Sequence, residues 1–383
     1  MKRSFLSRKS VQIPLIIILF LNVLIVLTGN TYLYKAIRYN FVNIDDYTLF
    51  QNRKVEASNT PEPWPRSQEK MSSTARLDSL HTAISSIAFV VIHRDTVVYE
   101  SYWDGYSDSS YSNSFSMAKS YVSALIGAAI QDGKIISVKQ PVGDFLPSFA
   151  EGKKASITLE HLLAMSSGLD WDESYSSPLS ATTEAYYGTD LKSLVLDQKA
   201  IEEPGQSFKY LSANTQLLAL VLREATGKTL SEYAAEKIWK PTGAMYPALW
   251  SLDEENGLEK AYCCLNSNAL DFARFGKLYI QKGMWGNKRL LPASYVEAST
   301  KPFGYQEDPI QYYGYQWWLI PDFYQEDVFY ARGILGQYII CLPKRNIIIV
   351  RLGKERSGTR FREEHPMEVK IMVEEVLTQL DNS

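Results

Sequence analysis

Phe115-Ser116-Met117-Ala118-Lys119-Ser120-Tyr121-Val122-Ser123-Ala124-Leu125-Ile126-Gly127-Ala128-Ala129-Ile130 begins with a hydroxyl and a lysine three residues apart, then turns almost wholly apolar. The spacing predicts that Ser116 and Lys119 share one face of a helix near its first turn. The apolar run predicts that this helix is buried. At such a terminus the helix dipole and free backbone N–H groups favour developing negative charge. A lysine amine is no base while protonated, with a reference pKa of about 10.4. Burial and neighbouring cations lower that value, and the neutral amine can then activate the hydroxyl.

The spacing alone is a weak signal, because Ser67-Gln68-Glu69-Lys70 repeats it beside Pro65 and Arg66, where nothing would desolvate the lysine. Ser116 also has a plain structural reading, as the cap of its helix. Tyr210-Leu211-Ser212 supplies a candidate third member. Tyr111-Ser112-Asn113, Tyr121-Val122-Ser123 and Tyr175-Ser176-Ser177 share its pattern, but Tyr210 stands at a junction between a turn, Glu203-Pro204-Gly205-Gln206-Ser207-Phe208, and a following helix. Its phenolate, favoured by a nearby lysine, can accept a proton and return it to a leaving group. The chain has 4 histidines and no Gly-x-Ser-x-Gly elbow, so a Ser-His-Asp triad is the weaker expectation.

Working outward, residues 87–102 read as two β-branched runs around a polar turn, a hairpin, and residues 337–352 repeat the pattern. Residues 366–380 read as a closing amphipathic helix. Between the hairpins, 120–132, 159–164, 214–226, 230–239 and 267–282 have helical periodicity. The expected fold class is α/β of the α+β kind: an antiparallel sheet assembled from both termini, flanked by helices, with a mostly helical subdomain inserted into it. The cleft between them is the expected site.

With 383 residues, 45% hydrophobic and 13% aromatic content, the chain is globular and well filled. A net charge of −3 without a basic block gives no reason to expect nucleic acid as a partner. Lys2, Arg3, Arg8 and Lys9 precede an uncharged apolar run over 11–28 that is long enough to span a bilayer core. Residues 1–30 are therefore expected to be a cytoplasmic tip and transmembrane anchor, with a cleaved signal peptide or a buried core helix as alternatives. The first two readings place the remainder outside the cytoplasm, in the periplasm or at the cell exterior, membrane-anchored or secreted. Residues 31–70 end in Thr60-Pro61-Glu62-Pro63-Trp64-Pro65 and are expected to be an extended tether, leaving 71–383 as the catalytic domain. Cys263, Cys264 and Cys341 are expected to be buried thiols, since sequence neighbours rarely bridge; a bridge from Cys341 stays open.

Taken in order, Ser116 to Lys119, Leu159-Glu160-His161-Leu162-Leu163-Ala164-Met165-Ser166-Ser167-Gly168-Leu169-Asp170-Trp171 and Pro204-Gly205-Gln206-Ser207-Phe208-Lys209-Tyr210 to Ser212 resemble the class C beta-lactamase-related serine hydrolases. That family includes penicillin-binding DD-peptidases, beta-lactamases, esterases and 6-aminohexanoate-dimer hydrolase. The resemblance, over about residues 70–380, implies Ser116 as acylated nucleophile, Lys119 as its partner and Tyr210 as general base and acid. It implies substrate and oxyanion contacts from Ser212, Gly333 and Ile334, a small amide, ester or peptide substrate, and no metal or organic cofactor. His161 is expected to pack. Two departures bear on substrate. The second motif ends in Ser212 where asparagine is common, as in the 6-aminohexanoate-dimer hydrolase type. The third, Ala331-Arg332-Gly333-Ile334-Leu335-Gly336-Gln337, lacks the cation expected at 331. That absence weakens a beta-lactamase or DD-peptidase reading. Arg332 should face away from residue 331 on a strand, and a structural role is expected for it. A non-turnover penicillin-binding or cell-wall sensor is the rival outside enzymology.

Overall fold

The computed structural model describes residues 8–307 and 309–382, with the side chains of 8–12 outside the description. In chain order the elements are α1 (Arg8–Leu27), α2 (Tyr32–Tyr39), β1 (Asn52–Val55), α3 (Ala75–Ala83), β2 (Ser86–His93), β3 (Thr96–Tyr102), β4 (Ser112–Asn113) and α4 (Met117–Gln131). The helical middle contributes α5 (Leu159–Leu163), α6 (Ala181–Tyr187), α7 (Leu191–Leu196), α8 (Ser212–Thr226) and α9 (Leu230–Ala234). Then come β5 (Ala248–Ser251), β6 (Leu265–Ser267), α10 (Ala269–Ile280), β7 (Met284–Trp285), β8 (Lys288–Arg289) and α11 (Ala293–Ser299). The chain closes with β9 (Trp318–Phe323), β10 (Glu326–Gly333), β11 (Gln337–Leu342), β12 (Ile347–Gly353) and α12 (Met367–Asp381).

One antiparallel sheet, ordered β3-β2-β12-β11-β10-β9, joins the two expected hairpins through pairing of β12 with β2. The sheet is thus assembled from both ends of the chain, with the helical region between β4 and β9. Both faces of β2 and β12 are buried, which explains their unbroken apolar runs. Alternate residues serve two cores: Val90, Ile92, Ile348 and Val350 face one, Phe89, Val91, Ile347 and Ile349 the other. Helix α10 covers the first face; a Cβ on Gly276 would stand 2.9 Å from Ile348 Cγ2, so glycine permits the close approach. Helix α12 covers the second through Val369, Met372, Val373 and Val376, the stripe of an amphipathic helix.

The expectation for residues 31–70 needs correction. The segment read as an extended tether is folded onto the domain. Strand β1 pairs with β5 in a smaller sheet ordered β1-β5-β6-β4, and Tyr32, Ala36, Ile44, Val55 and Trp64 are buried. Trp64 donates its indole N–H to the Leu270 carbonyl at 2.9 Å under Arg274 and Lys277. Hydrophobic burial of residues around the prolines fixes the course of this segment. Among the described residues no helix is long and apolar enough to cross a membrane; Lys2 and Arg3 of the expected anchor lie outside the described residues. The cysteine expectation also fails in part. Cys263 and Cys264 form a disulfide, reached through a positive φ of 69° at Cys264, whereas Cys341 is a buried free thiol.

Candidate active site

Ser116 stands at the N-cap of α4, and its side chain makes no capping hydrogen bond. The hydroxyl is free of the structural duty that would otherwise explain it. The backbone before it is held tightly: Phe115 has φ +44°, its N–H donates to Asn113 Oδ1 at 2.9 Å, and Ser114 N–H donates to the Leu265 carbonyl at 2.9 Å. A left-handed aromatic residue is costly and persists only where surroundings fix it. Here it turns Ser116 out of the core while Met117, Ala118 and Lys119 stay buried.

Lys119 lies one helical turn on. Its Nζ donates to Ser116 Oγ at 3.1 Å, Ser212 Oγ at 3.1 Å and the Tyr262 carbonyl at 2.8 Å. Three acceptors match the three protons of an ammonium. Burial nonetheless lowers its pKa to about 8, with Glu173 pulling the other way. The Tyr210 ring sits 5.1 Å from Nζ. Burial pushes the Tyr210 phenol well above its ordinary value; a hydrogen bond with Ser116 pulls it back, Glu173 pushes it further and Arg332 pulls it down. The structure brings Ser116, Lys119, Tyr210 and Ser212, each a candidate from the sequence, to one place.

Glu173 is the member it missed. Its carboxylate accepts the Ser212 backbone N–H and the Ser212 hydroxyl, each at 2.7 Å, and so caps the first turn of α8, where Leu211 offers no side-chain cap. The hydroxyl therefore accepts from Lys119 and donates to Glu173. Tyr175 O–H also donates to Glu173, at 2.6 Å. No periodicity or motif marks this loop carboxylate; only its fold partner gives it a role.

Gly333 ends β10, and Ile334 opens the turn after it. A Cβ on Gly333 would stand 2.2 Å from the Ser114 carbonyl, so glycine lets the strand end lie against the nucleophile's loop. Gln337 Nε2 donates to the Ile334 carbonyl at 3.2 Å, and buried Arg351 donates to the carbonyls of Leu335 and Gly336. Ser116, Ser212, Tyr262, Cys263 and Ile334 border one cavity of about 460 Å³, the size of a small-molecule pocket. Arg332 is partly exposed beside buried Ala331. Its guanidinium lies 3.4 Å over the Trp318 ring, which is 5.7 Å from Tyr210, and it donates to the Glu364 carbonyl at 2.9 Å. His161 packs as expected: its Nδ1 accepts the Thr158 N–H in a capping box at the start of α5.

A model of the beta-lactamase family matches residues 69–372. The chain belongs to the beta-lactamase family. Among curated relatives it is 25% identical over 307 residues to the 6-aminohexanoate-dimer hydrolase of Paenarthrobacter ureafaciens, covering 72% of this chain and 77% of that one. A solved Bacillus anthracis structure, described as a candidate 6-aminohexanoate-dimer hydrolase, superposes with a TM-score of 0.73 at 23% identity, over 89% of this chain and 91% of that one. A family VIII carboxylesterase superposes with a TM-score of 0.57 at 15% identity, over 76% and 95%. The chain is a serine hydrolase of that family.

Proposed function

We propose that this hydrolase cleaves an amide or ester through an acyl intermediate on Ser116, with amides like those of the 6-aminohexanoate-dimer hydrolase slightly ahead of simple esters. The observation that carries the reading is the contact of a wholly buried Lys119 Nζ with an uncapped Ser116 hydroxyl. Neutral Lys119 takes the Ser116 proton as Oγ attacks the substrate carbonyl carbon. The backbone N–H groups of Ser116 and Ile334 receive the negative charge that develops on the carbonyl oxygen. Tyr210, held neutral by burial, donates its proton to the departing nitrogen or oxygen and recovers one from the Lys119 ammonium. Water then attacks the acyl carbon, losing its proton to Lys119, and Ser116 leaves with a proton returned along the same route.

Beta-lactams rank third, because Ala331 stands where a cation would hold the substrate carboxylate. The reading includes an N-terminal membrane anchor with the catalytic domain outside the cytoplasm, supported by the exposed apolar side chains of α1 and the basic residues before it. Ser116→Ala should remove turnover of amide and ester panels while leaving the melting temperature nearly unchanged. Wild-type turnover in that variant overturns the assignment.

A further inference from the structure

The cavity over Ser116 has a wall from outside the family-matched region. Ala36, Ile37, Asn40 and Val42, in α2 and the turn after it, line the cavity together with Phe115 and Ser116. This wall is built into the domain. Tyr39 stacks on Tyr187 with ring centres 6.3 Å apart, and Tyr186 O–H donates to Asp46 Oδ2 at 2.8 Å. The Ile44 carbonyl accepts the Asn113 N–H at 2.8 Å, and Asn113 in turn holds the N–H of Phe115. One residue therefore links the N-terminal wall to the nucleophile's turn.

The same wall leads to an unpartnered apolar surface. Ile37 is 70% exposed and Phe41 82%, although Ile37 also lines the cavity. Helix α2 follows α1 across a short turn, and Tyr34 O–H donates to Asn22 Oδ1 of α1 at 3.0 Å. In α1 the consecutive residues Ile16, Ile17, Ile18, Leu19 and Phe20 are all exposed. A helix docking in a protein groove needs one apolar stripe, whereas apolar side chains all round suit a lipid surround.

We propose that the substrate is an amphiphile of the lipid leaflet that receives α1: an ester or amide whose apolar acyl chain lies against Ile37 and Val42 while its carbonyl carbon reaches Ser116. This rests on the acyl-Ser116 reading above. Ser116 Oγ forms the new bond to the acyl carbon, the bond to the polar alcohol or amine breaks, and that group departs with a proton. Water then cleaves the acyl–Ser116 bond and releases the chain as a carboxylic acid.

The test compares 4-nitrophenyl acetate with 4-nitrophenyl decanoate, using the full-length protein at fixed detergent concentration. The expected result is a rise in kcat/KM of about fourfold for each buried methylene until the cavity is filled. In Ile37→Asp, and separately in Val42→Asp, the decanoate-to-acetate ratio of kcat/KM should fall about tenfold or more. Ile37 is exposed, so its variant should keep the fold, which a thermal melt checks. Acetate turnover with no dependence on chain length, or an unchanged ratio in both variants, overturns this inference alone. Turnover of neither ester overturns this inference, and the absence of a fluorophosphonate adduct on Ser116 in the same protein overturns the hydrolase reading with it.

Discussion

Lys119 is held between two opposed demands. Three acceptors around Nζ suit the charged form, while burial lowers the pKa to about 8. Only the neutral amine can take the Ser116 proton, and its fraction grows as pH rises through about 8. The kcat/KM profile should therefore climb across that range and level above it, with Tyr210 titrating too high to cut the plateau. Glu173 raises the Lys119 pKa, so Glu173→Gln should move the climbing limb to lower pH. A limb that stays in place or moves upward would remove Glu173 from the electrostatics of the site. Ser116 and Lys119 were legible in the sequence because their spacing and the apolar run after them are local. Glu173 was not, since its importance comes from Ser212, a residue 39 positions away in the chain.

At the scale of elements, α4 and the end of β10 must approach within van der Waals contact for Ser116 and the proposed oxyanion donors to face one point. Gly333 permits this, and a Cβ there would meet the Ser114 carbonyl. Gly333→Ala should lower kcat by about a hundredfold, the scale of losing one oxyanion donor, with a smaller change in KM. Equal losses in a short and a long substrate would agree; an unchanged kcat would show that the strand end has no part in the chemistry. The two hairpins, the closing helix and the long central helices were readable from period-2 and period-3.6 patterns. The Cys263–Cys264 disulfide was not, because it depends on a positive φ at Cys264 that no sequence pattern announces.

For the molecule as a whole, the N-terminal segment changes meaning between sequence and structure. Proline-rich composition suggested a tether, yet scattered aromatic and aliphatic residues in it bury against the domain, and periodicity cannot detect a segment whose partners lie more than 200 positions away, as Leu270 does from Trp64. Trp64→Ala should cost about 3 kcal/mol of stability, as large-to-small changes at buried aromatic sites do, measured as a fall in the denaturant midpoint. A tether would show no change. Four of the six strands of the large sheet, by contrast, were foreseeable, because the β2–β3 and β11–β12 hairpins are each complete in local sequence and only their pairing is long-range; the edge hairpin of β9 and β10 was not among the predicted ones.

The most direct measurement of the central claim is intact-mass analysis after incubation with a fluorophosphonate across pH 6–10, with peptide mapping of the product. The account predicts a single adduct on Ser116 that forms faster as pH passes through about 8 and is absent from Ser116→Ala. No adduct on folded protein, or an adduct on another residue, would contradict it.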